Sequence, residues 1–532
     1  MNCTASHKRS LRTLVQNIDW LSTLLPLGII LMLTFFLIFS PGQSTLVIDR
    51  IRDFIGNELG SYYILLGLLF FFGSLYIAFS RYGSIRLGKL EKPEYSSFKW
   101  GTMIFTSTMA ADILFYSLCE WALYSGEDHI QGLGNLTLWA PTYPLFHWGP
   151  IAWSFYVVLA VAFGFMLHVR GKNKQKFSEG CRPLLGKYVD KAPGKIIDLF
   201  SIFALLAGTA TTFSLATPLL SAALGRVLNI PASLELTLFV MVTTAVVYTL
   251  AVWFGMRGIA LLATGCVYLF FLLLGYVLFG GGETVYILET GIASLGNLIQ
   301  NFLGLATWTD PLRQTHFPQN WTIFYWAYWM VWCVATPFFI GIISRGRTIK
   351  NVVLGVYGWG LAGTFTSFII LGNYGLAQEL KHGLDISGHI ARTGNIQEAI
   401  LKIFDTLPLP AFGLILLVIT MIAFYATTFD ALTMVISSYS YKKLEVGKEP
   451  HKLVRSFWAL LFILLPIGLL FGRNSMNSLQ SISIIAAFPM GIIVTLIAAS
   501  FLKDANHYLK GDSKTDDQTL VASEGSKSSN KR

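Results

Sequence analysis

Two short stretches of the chain bring aromatic residues together at spacings that can do chemistry. One reads His147-Trp148-Gly149-Pro150-Ile151-Ala152-Trp153-Ser154-Phe155-Tyr156. The other reads Trp321-Thr322-Ile323-Phe324-Tyr325-Trp326-Ala327-Tyr328-Trp329-Met330-Val331-Trp332. On a helix, Tyr325, Trp329 and Trp332 share one face, and Trp326 stands about one turn before Trp329. Indoles that face inward can cage a quaternary ammonium. Such a cation has no N–H to donate, so π-faces are its natural ligands, at about 0.5–2 kcal/mol per contact. The same residue types also form interfacial belts on membrane proteins. A belt suits Trp321; the deeper group on one face suits a belt less well. On the residues alone both readings stay open.

Three acids fall in otherwise apolar runs: Asp112, Glu120 and Asp430. A buried acid in lipid is costly, and it is usually functional or faces water. Asp112 is the deepest. It can neutralise a substrate cation or carry a proton; the bland alternative is a permanently protonated carboxyl bonded to a hydroxyl. Glu120, nearer the end of its run, reads as structural. Two hydroxyl clusters follow the same pattern: Gly208-Thr209-Ala210-Thr211-Thr212-Phe213-Ser214 and Phe424-Tyr425-Ala426-Thr427-Thr428-Phe429-Asp430. Sodium takes oxygens from hydroxyls and from carbonyls freed in broken helices. More commonly, Thr and Ser in spans bond their own i−4 carbonyl or a neighbouring helix. No nucleophile elbow, zinc-protease motif or phosphate-binding loop occurs. His147 before Trp148 reads as a capping or packing residue. The five cysteines (Cys3, Cys119, Cys181, Cys266 and Cys333) are scattered with no CxxC, which indicates neither a zinc site nor a disulfide framework.

The elements that must position these residues follow from composition. Of 532 residues, 54% are hydrophobic and 13% charged; the mean hydropathy is +0.58. Soluble domains are about 25% charged. A cytosolic enzyme, a disordered chain and a secreted disulfide scaffold are thereby excluded. Crossing a bilayer takes about 20 apolar residues. Twelve such runs stand at roughly 22–40, 61–80, 100–124, 150–168, 197–222, 233–255, 259–280, 321–343, 351–373, 411–438, 456–472 and 478–502. The first is too long for a signal-peptide core and lacks a clear cleavage site.

Lys and Arg set the orientation. With the N-terminus in the cytoplasm, inside segments hold 31 of the 39 and outside loops hold 8. None falls within a span, so the intramembrane acids have no cation to pair with. That bias is the positive-inside rule, with both termini cytoplasmic. The net charge of +10 therefore reads as topology and contact with an anionic bilayer, and no nucleic-acid partner is indicated. Asn135-Leu-Thr is a sequon in an outside loop, without meaning in a bacterium. Composition sets off a cytoplasmic N-tail (1–21), an amphipathic interfacial helix (283–306) and a disordered cytoplasmic C-tail (503–532), and the apolar runs fill 22–99, 100–282 and 321–502 between them.

Trp321-Thr322-x-Phe324-Tyr325-Trp326-Ala327-x-Trp329, followed by Ile343-Ser344-Arg345-Gly346-Arg347, resembles the signature of the betaine/carnitine/choline transporter family. His147-Trp148-Gly149 with Trp153 and Tyr156 is similar to that family's fourth span. The resemblance runs from about residue 20 to 502. It implies an all-α integral membrane fold of twelve transmembrane helices. Two peripheral helices (22–99) would precede spans 3–7 (100–282) and 8–12 (321–502), two inverted five-helix repeats in a LeuT-like core, with the site at the midplane. It also implies a homotrimer in the plasma (bacterial inner) membrane, no enzyme activity, no cofactor, and H+ or Na+ as coupling ion. Substrates would be small quaternary ammonium compounds: choline, glycine betaine or carnitine. Carried over by position, Trp148, Trp153, Tyr156, Trp329 and Trp332 form the cage, with Met109 and Asp112 beside the substrate. Trp326, Tyr325 and Tyr328 become gate or outer-site aromatics, Tyr328 standing where Trp is usual. Phe424, Thr427 and Thr428 match a sodium-holding segment.

The departures from the family pattern bear on coupling. Span 3 reads Thr108-Met109-Ala110-Ala111-Asp112 where many members have Gly-x-Gly-x-Gly, which predicts a less pliable backbone. An aspartate at 112 resembles the proton-coupled choline carriers. Trp121 follows Glu120 where Pro is usual. Cys266 and Thr336 stand where sodium-free exchangers place Arg and Met, and Ala335 replaces a sodium-contacting Phe. The expectation is a proton-coupled choline carrier working by alternating access. A sodium-coupled betaine symporter and a sodium-independent carnitine or betaine exchanger are the alternatives. A quaternary-ammonium sensor is a third class, but the short tails hold no signalling domain.

Overall fold

The computed structural model describes residues 15–107, 110–172, 174–442, 444, 449–471 and 476–511. Among the described residues the chain is helical, and the only extended pairings are isolated bridges at Ile18–Tyr441 and Arg86–Thr348. The helices run α1 (Trp20–Phe39), α2 (Pro41–Asp53), α3 (Gly60–Phe79), α4 (Ser97–Ser107), α5 (Ala111–Ser125), α6 (Leu136–His147), α7 (Pro150–His168), α8 (Ala192–Leu228) and α9 (Leu234–Gly280). They continue with α10 (Thr284–Thr307), α11 (Ile323–Trp332), α12 (Thr336–Ile343), α13 (Ile349–Ser367), α14 (Asn373–His382), α15 (Pro410–Tyr439), α16 (Lys452–Leu461), α17 (Leu464–Phe471) and α18 (Met476–Leu509). The ten-residue helix Ile396–Asp405 and several shorter helical turns join them.

Local chemistry accounts for where these helices start and stop. Asp19, Asn135, Ser233 and Thr348 cap the N-termini of α1, α6, α9 and α13 with side-chain oxygens that accept from backbone N–H groups inside the helix. Pro150 and Pro410 open α7 and α15, where a missing N–H costs nothing. Asn229 ends α8 in the left-handed region.

Among the described residues, eight helices are long and apolar enough to cross a membrane, or up to eleven spans if each bent pair counts once. Burial sorts them. Only 28% of the apolar window of α1 is buried, against 89% for the window in Leu136–His168. The first therefore stands at the edge of the bundle, and the α6–α7 pair is core. Around α7 pack α12, α3 and α13. The pair α9–α15 flanks the opposite side of the core, and α8 joins α15 to α18. Where α7 crosses α12, the contact is glycine on glycine: a Cβ at Gly341 would stand 2.8 Å from the Gly164 backbone nitrogen.

Two of the expected spans are broken. The run 100–124 stops at Ser107 and resumes at Ala111, with a 72° change of direction. Ala110, the residue before α5, takes ordinary extended backbone (φ −130°, ψ 164°) that any residue adopts. The run 321–343 divides into α11 and α12 at 56°. Pro337 explains that break: it has no N–H for the Cys333 carbonyl, and its ring would collide with that carbonyl in a continuous helix.

A third difference lies in α9. It runs unbroken through 256–258, read from sequence as a turn between two spans. Three residues without proline give the helical ladder no reason to stop. After Gly280 the chain bends by 110° into α10. That helix leaves Val285, Ile292 and Ile299 exposed on its outer face.

Candidate functional site

Helix α11 places its aromatic face against α7. Trp329 is the centre, with its ring 4.8 Å from Tyr156, 5.2 Å from Trp153 and 5.8 Å from Trp148 between centroids. All these planes are inclined by more than 50°, which leaves ring faces turned toward shared space. That space is a cavity of about 430 Å³. Trp148, Tyr156, Tyr328, Trp329 and Trp332 line it. The indole N–H groups of Trp329 and Trp332 are buried without a partner. The backbone at the helix break lines it too, through Ala335 and Thr336.

Asp112 enters the same wall from the first turn of α5. The break in the span has put it at a helix N-terminus, where the free N–H groups and the macrodipole favour a negative charge. The residue is 4% exposed. Its Oδ2 accepts a short hydrogen bond from the Tyr328 hydroxyl. Its Oδ1 is buried and has no hydrogen-bond partner among the described residues, and the backbone N–H groups of Asp112 and Ile113 face the carboxylate. The Tyr328 hydroxyl also meets Thr212 Oγ1 at 2.5 Å.

One end of the cavity is closed by a buried polar cluster. Glu120 Oε2 accepts from the Trp148 indole N–H at 2.8 Å. The Tyr124 hydroxyl bonds to Glu120 Oε1 and lies 2.6 Å from His147 Nδ1. His147 Nε2 lies 3.0 Å from Thr322 Oγ1. Glu120 and His147 are fully buried. The imidazole stacks on Tyr325 at 4.9 Å, and Trp321 donates to Glu127 at 2.8 Å. His147 thus packs and bonds, and Glu120 fixes the indole plane of Trp148. This cluster joins α5, α6 and the turn before α11.

The other end of the cavity runs past Phe338 and Ile342 to Gln175 and Arg455. Here one expectation is corrected. Asp430 is paired: Arg455, on α16, donates to its Oδ1 and, at 3.3 Å, to its backbone carbonyl. Arg455 is 2% exposed. The sequence places it one residue outside an apolar run, but α16 begins at Lys452 and carries it inward. A long aliphatic stem lets a guanidinium reach an acid deeper in the bundle.

The sequence-derived residues therefore separate into groups. Trp148, Tyr156, Trp329, Trp332, Asp112, Tyr328, Phe424, Thr427 and Thr428 line one cavity, together with Cys266 and Thr336. Cys266 Sγ lies 3.8 Å from Thr427 Oγ1. The Thr427 hydroxyl donates to the carbonyls of Ala423 and Phe424. Trp153 is absent from the cavity wall; it backs Trp329 and fills the space beside Gly360. Trp326 faces α3, where a Cβ at Gly67 would meet its ring at 2.9 Å. Tyr325 belongs to the Glu120 cluster. In the other hydroxyl run, Thr211 bonds to Ser483 at 2.9 Å. Met109 lies outside the described residues. Sequence reasoning missed the Arg455 partner and the role of Pro337; a proline sixteen residues into an apolar run was the available signal for the second.

Residues 22–510 match the model of the BCCT, betaine/carnitine/choline family transporter. The chain belongs to this family. It is accordingly a multi-pass membrane transporter and acts on a small solute across a lipid bilayer; members are transporters and not enzymes. The match spans α1 to α18, so both broken helices and the whole cavity lie within the family's own region.

Proposed function

We propose that this chain is a secondary active transporter of trimethylammonium solutes across the plasma membrane, with choline as substrate and a proton as coupling ion. Twelve spans, inverted repeats over 3–7 and 8–12, cytoplasmic termini and a homotrimer complete this reading. The observation that carries it is Asp112, whose Oδ1 has no hydrogen-bond partner among the described residues, on the same cavity wall as Trp329 and Trp332. The ring faces of Trp148, Tyr156, Trp329 and Trp332 take the trimethylammonium group. Asp112 balances its charge. The substrate hydroxyl donates to Oδ1 and accepts from an indole N–H, which pairs two kinds of buried polar atom that now lack partners. Betaine and carnitine instead bring a carboxylate to face Asp112, a repulsive contact unless a proton intervenes. Closure by the Glu120 cluster at one end and extension toward Arg455 at the other support an inward-facing state. Alternating access would then exchange which end is closed.

A second reading has its own support. Phe424, Thr427, Thr428, Cys266 and Thr336 share the cavity wall, and hydroxyl oxygens beside a broken helix suit sodium. The test is uptake of labelled choline, betaine and carnitine into proteoliposomes. Each is supplied with a sodium gradient, with a proton gradient, or with neither but with substrate preloaded inside. Choline accumulation driven only by protons, and lost in Asp112→Asn, is the expected result. Sodium-driven accumulation would make Thr427 and Thr428 coupling residues. Uptake only into preloaded vesicles would make the protein an exchanger.

A further inference from the structure

The Tyr328 hydroxyl touches two helices besides its own. On one side it bonds Asp112 Oδ2 of α5, on the other Thr212 Oγ1 of α8 at 2.5 Å. All three side chains are buried. We propose that Tyr328 is the positioning residue for Asp112: its hydroxyl holds Oδ2, leaves Oδ1 to the substrate, and ties the state of that carboxylate to the docking of α11 on α8. The proposal rests on the assignment of this cavity to a quaternary ammonium substrate.

The proton positions follow from donor chemistry. With Asp112 ionised, Tyr328 donates to Oδ2, and its oxygen accepts from Thr212. With a proton on Oδ2, that carboxyl donates to the Tyr328 oxygen, and Tyr328 turns its own O–H toward Thr212. The two hydrogen bonds reverse together. The ionised arrangement is charge-assisted and is the stronger. A hydroxyl is suited to this position because it donates and accepts at one atom. The indole N–H of a tryptophan only donates, so it can serve Asp112 or Thr212 but not both.

The surroundings isolate the pair. The other titratable groups that face Asp112 are Tyr116 on its own helix, Tyr156 of α7 and Tyr425 of α15. Glu120 and Cys119 lie further along α5 beside Tyr116. Tyr116 itself takes a hydrogen bond from Gln480 at 3.4 Å. The nearest cation lining the cavity, Arg455, is engaged by Asp430.

The experiment is choline uptake by the full chain in proteoliposomes, measured against pH, for the unaltered protein, Tyr328→Phe and Thr212→Val, with choline binding to the purified full chain titrated for these and for Asp112→Asn and the double variant Tyr328→Phe/Asp112→Asn. Loss of a charge-assisted bond should raise the KM of Tyr328→Phe roughly tenfold. It should also move the acid limb of the pH profile toward neutral, because the carboxylate has lost a donor. Thr212→Val should shift the profile the same way by less. In the Asp112→Asn background, Tyr328→Phe should change the choline affinity of the purified protein less than about twofold, since the partner that made the hydroxyl matter is gone. Coincident pH profiles for Tyr328→Phe and the unaltered protein would overturn the proposal. So would an equal loss in the Asp112→Asn background, which would mean that the hydroxyl serves packing alone. Should Tyr328→Phe fail to fold, Thr212→Val carries the same test, because Thr212 does not line the cavity. No uptake of choline, betaine or carnitine by the unaltered chain overturns the substrate assignment and this proposal with it. Uptake with an unchanged Tyr328→Phe profile overturns this proposal alone.

Discussion

Trp329 touches three aromatic rings and the cavity at once, so its truncation removes a binding surface together with the support for its neighbours. Trp329→Ala should weaken choline binding by about 1–3 kcal/mol, the sum of one to a few cation–π contacts. Binding titrations on purified protein measure this directly, and an unchanged affinity would remove Trp329 from the cage. The position behind it makes a subtler claim. A Cβ at Gly360 would stand 2.5 Å from the Trp153 ring, and that ring packs in turn against Trp329 and Tyr156. Gly360→Ala should therefore raise the KM for choline although residue 360 does not line the cavity. A matching loss of thermal stability with no change in KM would mean that the strain goes elsewhere.

At the scale of elements, two features can be tested apart from transport. The crossing of α7 and α12 brings backbone to within reach of backbone at Gly164 and Gly341. Small residues permit such crossings in membranes. Gly341→Ala places a methyl 2.8 Å from a backbone nitrogen that cannot rotate away, and overpacking of this kind costs about 1–3 kcal/mol. A lowered melting temperature in detergent is the expected sign. The α16–α15 contact predicts a larger loss. Arg455→Met leaves the Asp430 carboxylate buried without its cation, a change worth about 3–5 kcal/mol, while replacing both partners by apolar residues should recover most of it. Equal stability of the single and double variants would show that the pair is not coupled.

The loop that enters α11 adds a pH dependence at the scale of the whole molecule, because it links α11 to the far end of α2. Asp310, outside the spans, is buried and accepts from the backbone N–H groups of Gln314, Thr315 and His316. Burial alone would push its carboxyl up; these donors outweigh it and hold the group below its ordinary value. Arg313 in the same loop donates to the Asn57 carbonyl at 2.7 Å. A depressed value stabilises the fold above the unfolded value, and that stability is lost as pH falls through the folded one. The loop should stay protected from hydrogen exchange at mildly acidic pH and open only below about pH 4. Opening near neutral pH would contradict this assignment. Cys266 offers a second test of the whole molecule. It lines the cavity, so a small thiol reagent should label it from the cavity's open end, and bound substrate should slow that labelling.

Much of this protein was legible in its sequence because lipid imposes strong rules. Apolar runs must become helices, Lys and Arg must stay near the ends, and aromatics at helical spacing must share a face. From those rules came the spans, the α11 face and the suspicion attached to Asp112. Tertiary structure decided what no spacing encodes. Trp153 stands behind Trp329 because Gly360 of another helix leaves it a slot. Asp430 finds Arg455 because α16 begins earlier than its apolar run and packs on α15. Tyr328 joins Asp112 to Thr212 across 116 and 216 residues of chain. Periodicity reports which residues lie on one face of one helix. Which faces meet depends on packing among many helices, and a single strand of sequence does not carry that information in any local pattern.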